Sequence, residues 1–288
     1  MSGHMAFPTL GGMQLWTDVF VHAGWCIQAH ALTRTHRLLG PGNIQRAWGD
    51  YEHCRAVFER VRSDQRLVPS GDHLVLLLHG IFSSKQRFFT LRRALRRAGY
   101  DAVAVNYAST RASVASHAAD LVTLLDRVEG ARTVSFVGHS LGGLVCRLAI
   151  ARGGAWRGRL EVNRLVTLGT PHQGTEVAEW VRLSMAARAM AGPVLDDVRP
   201  RDLASFPLPD CRIGTVAGGR GDGRGYNPLV AGDDDGLISL ESALLDSAED
   251  QLLVRCTHAL LPRHRPVVEG TVRYLATGRF VDQGAAST

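Results

Sequence analysis

Thr133-Val134-Ser135-Phe136-Val137 runs directly into Gly138-His139-Ser140-Leu141-Gly142-Gly143, and Leu144-Val145-Cys146-Arg147-Leu148-Ala149-Ile150 follows. The first run is short, apolar and β-branched, and the last is amphipathic. The segment therefore reads as strand, sharp turn and helix, with Ser140 at the apex of a G-x-S-x-G elbow. The glycines have a steric reason. Ser140 must sit in a strained turn, and a Cβ two residues to either side, at Gly138 or Gly142, would clash there. Such a turn holds the hydroxyl clear of the sheet and sets the free N–H groups of a helix N-terminus beneath a developing oxyanion. The bare pattern is weak, but between a strand and a helix it points to a nucleophile.

Upstream, His73-Leu74-Val75-Leu76-Leu77-Leu78 reads as a buried strand ending in His79-Gly80-Ile81-Phe82. A strand that closes on His-Gly lets the backbone pass near the elbow, where an N–H can join that of Leu141 in an oxyanion hole. Downstream, an acid and a base are needed in the order Ser, Asp, His. Asp233-Asp234-Asp235-Gly236 lies in a loop after the strand-like run from Cys211 to Ala217, and His258 stands just past another, Gln251 to Cys256. Both positions fall at carboxyl ends of strands, where one ring nitrogen can reach the serine while the acid holds the other. Three consecutive aspartates leave the acid open to Asp234 or Asp233 if the register differs. His264, between Arg263 and Arg265, is a rival base whose imidazolium those arginines disfavour.

With Gly169-Thr170-Pro171-His172-Gln173-Gly174 and Asp235-Gly236-Leu237-Ile238 added, the chain resembles the α/β-hydrolases of the bacterial lipase and esterase type over about residues 72–280. The resemblance implies Ser140 as nucleophile, Asp235 as acid and His258 as base. It also implies an oxyanion hole made by the N–H groups of Ile81 and Leu141. Phe82, His139 and His172 are the expected substrate-binding residues, although His139, beside the nucleophile, equally reads as a packed core histidine. The implied activity is hydrolysis of carboxylic esters, on medium- or long-chain acyl substrates, through an acyl-enzyme that requires no metal or organic cofactor. Acyltransferase, thioesterase and amidase chemistry would use the same residues. A catalytically inactive binding or scaffold protein on the same fold is the alternative from another class.

Strands near 73–79, 101–106, 133–138, 163–169, 212–218 and 251–256 alternate with helices near 86–98, 111–129, 140–152 and 266–277. This alternation predicts an α/β fold: a mostly parallel sheet of about six or more strands with helices on both faces. An Ala-rich stretch predicts a helical cap insertion at about 175–210, and residues 281–288 read as a tail. Residues 1–70 are expected to be a helical extension packed on the body. Leu15, Trp16, Val19, Phe20, Ala23 and Ile27 suggest one helix, and Ile44, Ala47, Trp48, Tyr51, Cys54, Phe58 and Val61 another. Their surplus apolar surface is expected to line an acyl groove at the active-site mouth, with a weak membrane-surface contact as the other option.

A chain of 288 residues with 45% hydrophobic residues is long enough to bury one large core. The net charge of +6 and a pI near 9.4 invite a nucleic-acid reading. Yet Lys85 is the only lysine, and Arg92-Arg93-Ala94-Leu95-Arg96-Arg97 reads as a solvated helix face. With no interleaved aromatics or nucleic-acid motif, an acyl ester is the expected partner and nucleic acid is not. The five cysteines are odd in number and lack metal or disulfide spacing, so they read as small buried hydrophobes. The glycine-rich run from Gly218 to Gly225 does not open a helix and lacks Gly-Lys-Ser/Thr, so it reads as a loop leading to the acid. Residues 1–12 lack the basic start and apolar core of a secretory signal, and a cytoplasmic location is the expectation.

Overall fold

The computed structural model describes residues 14–68, 71–175, 177–178, 191–199, 203 and 206–282. The first layer is a four-stranded antiparallel sheet made of β1 (Trp16–His22), β2 (Trp25–His30), β3 (His36–Gly40) and β4 (Ile44–Gly49), adjacent in that order. A single helix, α1 (Tyr51–Asp64), follows. This corrects the expected pair of N-terminal helices. Apolar residues at 15, 16, 19, 20, 23 and 27 mimic a helical stripe, but β1 is buried along its whole length because both of its faces are covered. Phe20 faces Cys54 and Phe58 of α1, while Val21 joins the core of the main body. A strand covered on both faces shows no alternation, so its pattern cannot be told from a buried helix by period alone. Two local signals favoured a hairpin: the β-branched and aromatic run itself, and Ala23-Gly24, whose φ values of 47° and 83° form the tight β1–β2 turn. The second apparent stripe is split at Asp50. Its side chain accepts a hydrogen bond from the His53 N–H at 2.7 Å and starts α1 there, leaving Ile44, Ala47 and Trp48 in β4.

The main sheet contains β5 (His73–Leu78), β6 (Asp101–Val105), β7 (Thr133–His139), β8 (Glu161–Leu168), β9 (Arg212–Gly219) and β10 (Asp250–Arg255). Its order is β6-β5-β7-β8-β9-β10, and every neighbouring pair is parallel. The strands at its centre read as continuous apolar runs because helices cover both faces. Side chains alternate across a strand. Leu74, Leu76 and Leu78 therefore pack with α3 (Val114–Asp126) and α4 (Leu141–Arg152), while Val75 and Leu77 pack with α2 (Phe89–Arg97) and α5 (Arg265–Thr277).

Half of the expected cap insertion and most of the tail fall outside the described residues. Of the insertion, residues 177–178 and 191 and the turn Val194–Asp197 are helical. Among the described residues, no helix is long and apolar enough to cross a membrane. The parallel topology brings the segments that leave the carboxyl ends of β5, β7, β8, β9 and β10 to one edge of the sheet, where open α/β sheets carry their sites.

Candidate active site

Ser140 leaves β7 with φ 54° and ψ −126°, a conformation that costs a non-glycine residue about 1–3 kcal/mol and persists only where surroundings fix it. Here they do. The Ser140 N–H donates to the Leu168 carbonyl at 2.9 Å, and the Thr170 hydroxyl donates to the Ser140 carbonyl at 3.1 Å. The turn also requires glycine beside it: a Cβ on Gly142 would overlap the backbone carbonyl of Leu78.

His258, at the start of the turn after β10, places Nδ1 2.6 Å from Asp235 Oδ2. The other carboxylate oxygen of Asp235 accepts the N–H groups of Leu237 at 3.0 Å and Ile238 at 2.9 Å, and the His258 N–H donates to the Asp235 carbonyl at 2.8 Å. The carboxylate is thus buried, oriented by backbone, and fixes the ring so that Nδ1 carries the proton and Nε2 is the free acceptor. The two neighbouring aspartates are occupied elsewhere. Asp234 accepts the N–H groups of Asn227 at 3.1 Å and Gly236 at 2.5 Å, and Asp233 accepts those of Arg220 and Gly221, both at 2.7 Å. Each therefore folds the glycine-rich loop, and Asp235 is the aspartate brought to the ring. His264 caps α5 and does not line the cavity described below.

The His79-Gly80 dipeptide passes as close to the elbow as its sequence suggests, and a Cβ on Gly80 would lie 2.9 Å from the Ser140 Cβ. His79 itself has a role that sequence reading missed. Its Nδ1 donates to the Gly80 carbonyl at 2.8 Å. Because a trans peptide points C=O and N–H in opposite directions, holding the Gly80 carbonyl fixes the direction of the Ile81 N–H. The ring is stacked on Tyr107 at 4.5 Å, Tyr107 donates its hydroxyl to the His79 carbonyl at 2.5 Å, and the Tyr107 N–H approaches His79 Nε2 at 3.4 Å. The neighbouring Asn106 N–H donates to Asp18 of β1 at 2.8 Å, so the N-terminal sheet buttresses this segment.

Burial pushes both His79 and His117 down to about 4. Between that value and the free imidazole range near 6.5, the unfolded chain binds protons that the folded chain does not, so stability is expected to fall as pH falls through this window and to be unaffected by these rings above it. Thermal unfolding followed from about pH 7 to 5 checks this. A melting temperature that stays level or rises on acidification would contradict it.

Ser140, Leu141, Ile81 and His258 open onto one cavity of about 260 Å³. Apart from Ser140, Thr175 and His258 its wall is apolar, with Val177, Ala178, Ala191 and Val194 contributed by the insertion and Phe82 and Leu237 at exposed positions. Three expectations are corrected by this wall. First, His139 is not part of it. Burial holds its ring neutral, and Nε2 donates to the His258 carbonyl at 3.0 Å, so it supports the backbone of His258 rather than meeting substrate. Second, His172 is buried behind the wall. It accepts from Arg147 at 2.8 Å on Nδ1 and donates from Nε2 to Thr167 at 3.0 Å. Arg147, whose pKa burial lowers to about 10, also donates to the Phe206 carbonyl at 3.0 Å and so ties the end of the insertion to α4. Third, among the described residues none of the N-terminal layer lines the cavity. Leu15, Trp16, Phe20, Trp25, Trp48, Tyr51 and Phe58 do not build an acyl groove; Phe20, Trp25 and Phe58 form that layer's own core.

Residues 43–194, more than half of the chain, match the family model described as a domain of unknown function, DUF7379. The chain belongs to this family. The DUF7379 match begins in the N-terminal layer and takes in the His79-Gly80 segment and the elbow, but ends before Asp235 and His258. No curated protein sequence matches the chain. Among solved structures it is similar to the mature form of the lipase BlEst2 from Bacillus licheniformis, at 20% identity over 70% of this chain and 90% of that one, with a TM-score of 0.56. A Listeria innocua protein aligns at 16% identity over 73% and 96%, with a TM-score of 0.51. A metagenomic carboxyl esterase, MGS0156, aligns at 18% identity over 66% and 65%, with a TM-score of 0.50. These likenesses give the DUF7379 chain the α/β-hydrolase fold.

Proposed function

We propose that the protein is a serine hydrolase that cleaves carboxylic esters through an acyl-enzyme on Ser140. The observation that carries this reading is the Asp235–His258 pair, joined at 2.6 Å, at the wall of the apolar cavity that also receives the strained Ser140. Asp235 keeps the proton on His258 Nδ1, leaving Nε2 to take the Ser140 proton as Oγ attacks the ester carbonyl. The N–H of Leu141, first in α4 and without an intrahelical partner, and that of Ile81, aimed by His79, stabilise the oxyanion. His258 then protonates the departing alcohol, and a water activated by the same ring releases the acid.

The wall supports an alkyl acyl group. At about 260 Å³ the cavity sits just below the usual range of roughly 300–1,000 Å³ for small-molecule pockets. Each buried methylene adds about 0.8 kcal/mol, so kcat/KM is expected to rise from p-nitrophenyl acetate to octanoate and to stop rising by palmitate. A profile that is highest for acetate would reject the apolar acyl site. Fluorophosphonate labelling of the purified protein tests the chemistry itself, with a stable adduct on Ser140 expected by mass spectrometry. Absence of an adduct on folded protein would favour the non-catalytic alternative.

A further inference from the structure

A second cavity, of about 460 Å³, lies between the N-terminal sheet and the segment from Lys85 to Arg96, and shares no residue with the Ser140 cavity. Its charges do not balance. Lys85, the only lysine of the chain, places Nζ 3.7 Å from Asp18 Oδ2. Asp18 is buried and already accepts from Gln28 at 2.6 Å and from the Asn106 N–H at 2.8 Å, so its one negative charge is matched by Lys85 and fixed by neutral donors. Arg92 and Arg96 also line the cavity, and among the described residues neither has an acidic partner. Arg96 uses Nε on the Ala102 carbonyl at 3.1 Å, leaving the outer edge of its guanidinium free. Like charges four residues apart on a helix repel. An anion between them removes that repulsion.

The remaining wall points to the rest of the ligand. Trp25, Val21 and Phe89, the last on the same face of α2 as the two arginines, add apolar surface to the wall. His22 also borders the cavity, but its ring packs against Phe20 and Phe58 of the N-terminal layer, with centroids 6.4 and 5.5 Å away. The site therefore offers two planar guanidinium groups suited to a carboxylate or phosphate, and an aromatic surface for an organic body.

We propose that this cavity binds a small organic anion, with a carboxylate or phosphate head on Arg92 and Arg96 and an apolar body against Trp25 and Phe89. The assignment does not depend on the esterase reading. Titration calorimetry on the full chain, with phenyl phosphate and phenylacetate as probes and benzyl alcohol as the neutral control, tests it. At least one anionic probe is expected to bind saturably and about tenfold or more tighter than the alcohol, because charge-assisted hydrogen bonds are the strong ones. Arg92→Gln/Arg96→Gln should raise Kd about tenfold or more. Arg93→Gln/Arg97→Gln removes the same charge from the same helix at residues outside the cavity wall, and should change Kd less than about twofold, since exposed charges act weakly through solvent. Thermal unfolding of both variants confirms that the fold is kept. Equal weakening by the two pairs would reduce the effect to diffuse attraction and overturn the site. So would unchanged affinity in Arg92→Gln/Arg96→Gln, or no saturable binding of either probe.

Discussion

Ser140→Ala is expected to lower kcat for ester hydrolysis by about six orders of magnitude while leaving the fold intact, because members of a nucleophile–base–acid set act as a unit and removing the nucleophile removes the route. The fold should survive because the backbone, and not the hydroxyl, holds the elbow, through the Ser140 N–H and carbonyl. A companion variant separates chemistry from strain. Ser140→Gly should be as inactive, yet more stable than Ser140→Ala, since glycine accepts φ 54° without the cost of about 1–3 kcal/mol that other residues pay there. Kinetics on p-nitrophenyl octanoate with melting curves of all three proteins give both answers. Activity of Ser140→Ala within tenfold of the parent would remove Ser140 from the mechanism.

What could be read before the structure was local, and what could not be read depends on long-range contact. The elbow is legible because strand, turn and helix are contiguous and Gly138 answers to the backbone of Gly142 and Gly143, although the close neighbour that requires Gly142 is the distant carbonyl of Leu78. The parallel sheet is legible because β5, β7 and β8 are apolar runs spaced by amphipathic helices. The N-terminal layer is not legible for a related reason. In β1 the burial of alternate residues comes from two different partners, α1 on one side and the body on the other, and nothing in residues 15–30 announces the second. His139 and His172 carry the same lesson at the site. Proximity to Ser140 or to a Thr-Pro-His segment places a residue near the chemistry, but which way its ring turns is decided by a carbonyl at His258 and a guanidinium at Arg147. His79 is the converse case, a histidine whose motif was noticed for its glycine while the ring itself fixes the next peptide.

The aspartate triplet gives the last test, because three chemically identical residues in a row make different contacts. Asp235→Asn keeps shape and volume but replaces an oxygen that accepts from His258 Nδ1 with an amide able to favour the wrong tautomer, and kcat is expected to fall by about 10⁴. Stability should change little by comparison, since the other side-chain oxygen can still accept from Leu237 and Ile238. Asp234→Ala should show the reverse pattern. It strips the fully buried acceptor from the half-buried Asn227 and Gly236 N–H groups, which costs up to about 1–3 kcal/mol for each group that water does not reach. Its kcat should remain within about tenfold of the parent at temperatures where it is folded, because that carboxylate does not touch the ring. Measuring kcat and melting temperature for the two variants therefore yields two opposite patterns. If Asp234→Ala lost its activity while folded and Asp235→Asn kept its own, the acid would be Asp234, and the hydrogen bond at 2.6 Å would be a structural contact rather than the one that orients the base.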